Sequence, residues 1–235
     1  MSGHRISAPP NIFHKKPKRE DWLIIASNLI PVLGVWLLGW SAVEVFTVYA
    51  METLIAGILT VLKLLITTLV RKEDTWYNKG ASSQVSGLFF ILFFILHFGI
   101  FAAVQTGIFS GVARINPPGS GPIHFFFHWW EYITDDIAWM LGGFIISYLA
   151  RDCIPFIVKK EYKTVPMMIL MFQPYGRIFI QQITVILGSM FLSFGAGKIF
   201  VGVFAMVKIF FEVFINYDGI LNMALKGLKK TSGKQ

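Results

Sequence analysis

Long apolar blocks with hardly a charge in them dominate the chain. "WLIIASNLIPVLGVWLLGW", "VYAMETLIAGILTVLKLLITTLV" and "GLFFILFFILHFGIFAAVQTGIF" come first; "AWMLGGFIISYLA", "IFIQQITVILGSMFLSF" and "IFVGVFAMVKIFFEVFI" follow. About 20 apolar helical residues cross the hydrocarbon core of a bilayer. Lipid offers no partner to backbone N–H and C=O groups, so a spanning segment satisfies them itself, as a helix does. The blocks predict an all-α, polytopic transmembrane helix bundle of about six spans. Only 14% of the residues are charged, against about 25% in a soluble domain.

The formal net charge of +8 falls mostly in alternate connections. Arg5, Lys15, Lys16, Lys18 and Arg19 precede the first span, and Arg71, Lys72 and Lys79 follow the second. Arg151, Lys159, Lys160 and Lys163 follow the fourth, and Lys226, Lys229, Lys230 and Lys234 the sixth. Basic loops stay in the cytoplasm, so both termini are expected there and the span count is even. The charge is topogenic, and no nucleic-acid partner is expected. The expected organisation is a disordered basic tail (1–21), a six-span domain (22–217) and a basic tail (218–235), in a cytoplasmic (inner) membrane. No cleaved signal peptide is read, and the lone Cys153 allows no internal disulfide.

Between the third and fourth spans lies "HFFFHWWEYITDD". Wound as a helix, His124, His128, Glu131 and Asp135 share one face amid aromatic residues, which predicts a short exterior interfacial helix near 123–134. His124 and His128 are the only metal candidates. The metalloprotease pattern needs Glu directly after the first His, and Phe125 stands there. No metal and no cofactor is predicted.

Ionisable groups inside spans are costly and normally face the bundle interior in pairs. Tyr49, Glu52, Ala56 and Lys63 form a stripe of the second span, and His97 sits mid-way along the third. Gly99, Ala103 and Gly107 give the third span a close-packing face. Arg177, Gln181, Thr184 and Gly188 line up on the fifth span; Lys208, Glu212 and Asn216 line up on the sixth. Turned inward, the stripes predict a buried cluster of Tyr49, Glu52, Lys63, His97, Arg177, Gln181, Gln182, Lys208 and Glu212, with Glu52 and His97 near the midplane. The plainer reading has Lys63 and Arg177 snorkelling to the cytoplasmic edge and Lys208 with Glu212 as a structural pair.

"NLIPVLGVWLLGW", "YAMETLIAGILTVLK", "FFILHFG", "PYGRIFI" with Gly188, and "KIFFE" together resemble a prokaryotic multi-spanning membrane family, domain of unknown function 6498, over residues 22–220. The resemblance implies a place for a site and no chemistry. The family tends to show His where Gln182 and Asn216 stand, and Asp where Glu212 stands. A histidine cluster for a metal or proton relay would therefore lack two members here.

Three functions are open. One is a structural or accessory subunit of a membrane assembly, with lipid, other membrane proteins or a second copy as partners. Another is a carrier or a proton or ion path through Glu52 and His97. The third is an intramembrane enzyme acting on lipid or protein. The chain carries no phosphate-binding loop and no nucleophile elbow.

Overall fold

The computed structural model describes residues 21–78, 81–215 and 217–232, without the side chains of Arg177, Gln181, Thr184, Ser189, Tyr217, Asp218 and those beyond Gly227. The expected tail over residues 1–20 lies outside the described residues. Helices α1 (Asp21–Leu37) and α2 (Ala42–Arg71) lead to a hairpin of β1 (Glu73–Asn78) and β2 (Ala81–Ser86), then α3 (Gly87–Ala113). A short α4 (His124–Phe127) and a 3-10 turn (Trp129–Tyr132) precede α5 (Asp135–Tyr148). A π-helical turn (Leu149–Cys153) joins α5 to α6 (Ile154–Val158), making one rod over Asp135–Val158. Then come α7 (Glu161–Thr164), α8 (Met167–Ser193), α9 (Gly197–Phe214) and α10 (Tyr217–Ser232).

Among the described residues, four helices are long and apolar enough to cross a membrane: α2, α3, the α5–α6 rod and α8. The chain is a helical membrane protein. The remaining two apolar blocks form α1, shorter at 17 residues and holding Pro31, and α9, which carries Lys198, Lys208 and Glu212.

Helix α2 is the axis, touching α1, α3, α5, α8 and α9. Its residues Val45–Leu54 are all buried, as expected of a helix enclosed on every side. A capping box starts it: Ser41 Oγ accepts from Val43 N, and the Glu44 carboxylate accepts from Ser41 N at 3.1 Å. Two glycines let the axis approach its neighbours. Gly57 faces the Phe98 ring of α3, and Gly188 of α8 faces Phe46. Neither position has room for a Cβ. The expected close-packing face on α3 is not used this way at Gly99, where an added Cβ would meet nothing within 4 Å.

Two other expectations change. The polar connection after α2, expected only as a basic loop, is a paired hairpin. Its Trp76 stacks edge-on to Phe89 and Phe93, and β-forming Thr75, Trp76, Tyr77 and Val85 lie among its polar residues. Asp74 pins the hairpin by accepting from Met167 N at 2.6 Å and by pairing with Arg71 at 2.8 Å. The interfacial helix near 123–134 is not continuous. The chain leaves helical geometry at His128 (φ −128°, ψ 27°), so Glu131 lies on a separate turn and Asp135 opens α5. The basic C-terminal segment is helical as α10, which rests against α8 and the hairpin.

Candidate functional site: a buried lysine between two carboxylates

Three helices converge beside the buried stretch of α2. Glu52 points from α2 toward Lys208 on α9, and the two form a direct ion pair, each side chain 2% exposed. One turn along α9, Glu212 Oε1 stands 3.8 Å from the same Lys208 Nζ. That is ion-pair range, too long for a hydrogen bond. Tyr148 of α5 donates to Glu52 Oε1 at 3.1 Å. The ammonium also faces the rings of Phe144, 4.5 Å from its centroid, and Tyr49, 4.8 Å away. An aromatic face attracts a cation most strongly where water is excluded. A buried charge is tolerable only when paired and hydrogen-bonded, and this lysine has both carboxylate and ring partners.

Polar groups continue from this trio in two directions. Toward the basic loops, Tyr148 also lines a small pocket with Thr60, Lys63, Asp152, Cys153 and Gln173. Toward the other end, Gln105 of α3 donates to Thr53 Oγ1 at 3.3 Å, and Thr106 and Ser110 follow it, fully buried. Ser110 Oγ accepts from Asn116 Nδ2 at 3.1 Å. Tyr132 OH donates to Asn116 Oδ1 at 3.2 Å and lies 3.0 Å from His124 Nδ1. Burial, and then the Glu131 carboxylate, push the Tyr132 phenol above its ordinary pKa, so it stays a donor. His124 and His128 stack at 4.3 Å, and His128 Nδ1 donates to the His124 carbonyl. Among the described residues, no group of three or more His, Cys, Asp or Glu side chains could hold a metal ion.

The predicted cluster thus assembles in part. Tyr49, Glu52, Lys208 and Glu212 meet. Lys63 sits apart, 5.8 Å from the Phe156 ring, at the pocket. His97 does not face Glu52. It is exposed on the outer side of α3, where Nδ1 lies 2.7 Å from Tyr175 OH and its ring stacks on Phe93. Gln182 lines an apolar groove between α3, α8 and α9. The side chains of Arg177 and Gln181 lie outside the described residues. The sequence reading missed Tyr148, Phe144, Thr53 and Gln105. The four-residue spacing of Met140, Phe144 and Tyr148, all buried, is the signal that would have placed Tyr148 on the inner face of α5.

No curated protein and no solved structure matches the chain. A family model described as a family of unknown function (DUF6498) matches residues 12–230. The chain belongs to that family.

Proposed function

We propose that this protein is a proton path across a prokaryotic cytoplasmic membrane, with the Glu52–Lys208–Glu212 trio as its central station. One observation carries the reading: a single buried ammonium faces two carboxylates. Ionised, the trio holds one net negative charge inside the bundle. Such a charge is costly in low dielectric, and binding one proton removes it. The buried groups on both sides, Tyr148 toward the basic end and Thr53, Gln105, Thr106 and Ser110 toward the other, support a route for that proton. In this reading α1 and α9 complete six spans, and both termini lie on the basic, cytoplasmic side. His97 has no part in the route.

The test is proton flux in liposomes carrying the purified protein under an imposed pH gradient. Wild type should collapse the gradient faster than protein-free liposomes. E212Q, which leaves Lys208 one carboxylate and the trio neutral, should slow it by about a hundredfold or more, the scale of one well-placed proton-transfer group. Equal rates for wild type and empty liposomes, or for wild type and E212Q, would sink the reading.

A second reading has one observation behind it. The groove between α3, α8 and α9, lined by Phe101, Phe179, Val207, Phe211 and others, has a volume of about 790 Å³ and an almost wholly apolar wall. Such a surface suits an accessory subunit packed against a partner helix. Stoichiometric co-purification of a membrane partner in mild detergent, with no flux by the protein alone, would favour it.

A further inference from the structure

The pocket at the basic end lies where two helices depart from regularity. The π-turn Leu149–Cys153 widens the α5–α6 rod by one residue, just after Tyr148. Pro174 interrupts α8 and has no N–H to offer the Leu170 carbonyl four residues earlier. Tyr148, Asp152 and Cys153 from the first, and Leu170 and Pro174 from the second, all line the pocket. Thr60 and Lys63 of α2 close its third side. π-turns recur at functional sites, and irregular backbone at membrane depth is tolerated where it lines a water-filled cavity. The pocket volume, about 40 Å³, exceeds the roughly 10–15 Å³ that one water needs. Its lining residues include Tyr148, Thr60, Asp152, Lys63 and Gln173, which carry two hydroxyls, a carboxylate, an ammonium and an amide. A water there finds the two to four polar partners that it requires.

We infer that this pocket is an aqueous vestibule, wetted from the face of the basic loops, which brings water as far as the Tyr148 hydroxyl, the donor to Glu52. It rests on the proton-path reading for its purpose and not for its existence. The alternative geometry, a dry crevice sealed by Ile178 and Leu59, would keep aqueous ions away from Cys153.

Cys153 is the one cysteine in the chain, so its accessibility reports on the pocket without engineering. Silver ion is small, reaches thiols through water and not through hydrocarbon, and replaces the thiol proton on binding. Sealed vesicles of known orientation, assigned by trypsin cleavage at the Lys159–Lys163 loop, would be treated with silver nitrate. Free Cys153 would then be counted with a maleimide after denaturation. Silver on the basic-loop face should block Cys153 at least about tenfold faster than silver on the other face, because thiol reactivity follows exposure. It should also slow wild-type flux and leave C153A flux unchanged. Equal blocking from both faces, blocking only from the far face, or no blocking would overturn the vestibule. Blocking from the basic face with wild-type flux unaltered would overturn its link to Tyr148. If wild type shows no flux at all, the proton-path reading fails alone, and the labelling still decides whether the vestibule is wet.

Discussion

Two polar assemblies are held by the same fold in contrasting ways. The trio of Glu52, Lys208 and Glu212 sits where water is excluded, and its partners come from distant parts of the chain: α2, α5 and α9. The cluster of Asn116, Tyr132, His124 and His128 sits at the end of the bundle, half-buried, and its bonds join residues of the one connection between α3 and α5. Burial decides what each bond is worth. A group that loses its partner at the bundle end can turn to water, whereas one in the interior keeps the full desolvation cost. The trio should therefore act as an inter-helix clamp, and the surface cluster should mainly shape a loop.

The sharpest way to break this contrast is K208M. It fits an apolar chain of similar length into the same space and leaves two carboxylates without their cation. Removing one partner of a buried pair costs about 3–5 kcal/mol. The thermal or denaturant midpoint in detergent should fall accordingly. The same substitution made with E52Q and E212Q should recover most of the lost stability, because no uncompensated charge remains. A K208M protein as stable as wild type would show that water reaches the trio, and the distinction between the two assemblies would collapse.

Y148F is the next step down. It deletes the one hydroxyl that donates to Glu52 from α5 and preserves the ring. Hydrogen bonds to charged groups contribute about 1.5–3 kcal/mol, so the loss should lie in that range and should shrink in an E52Q background, where a neutral amide oxygen replaces the carboxylate. Non-additivity of that kind marks two residues sharing one interaction. Additive losses in the double variant would mean that Tyr148 acts through packing alone.

The two assemblies also differ in how far sequence could foresee them. Apolar blocks of about 20 residues specify spanning helices almost directly, and the positions of α2, α3 and α8 follow them. The spacing of Lys208 and Glu212 placed both on one face of α9. Which side of α2 that face meets depends on close packing at Gly57 and Gly188, a contact between distant helices that no local period encodes. Hence Glu52 was foreseen as buried, yet matched to His97 in place of Lys208. His97 lies mid-span yet on the outer surface, because mid-span position along a helix does not specify its inner face. Its polar need is met by Tyr175 on the outer surface instead. In the surface cluster the two histidines are legible, whereas Asn116, Tyr132 and the shape that joins them are not. An aromatic-rich segment with a polar face suggested one helix, but the break at His128 turns Tyr132 back onto His124 and Asn116.

The smallest expected effect belongs to Y132F, which removes a hydroxyl shared by Asn116 and His124. A neutral hydrogen bond at a half-wet site contributes about 0.5–1.5 kcal/mol, so the unfolding midpoint should move slightly, well short of K208M. Its pH dependence gives a cleaner signature. The folded phenol holds its proton more tightly than the ordinary value of 10.0, through burial first and Glu131 second. A phenol with a raised folded pKa keeps its stabilising form below pH 10, and that stability is lost as pH climbs through and past it. The ultraviolet titration difference between wild type and Y132F should accordingly have its midpoint above 10. E131Q should bring that midpoint down by removing the smaller cause while leaving the burial. A midpoint at the ordinary value would place Tyr132 in open water, and the surface cluster would then be a set of neighbours without a shared bond.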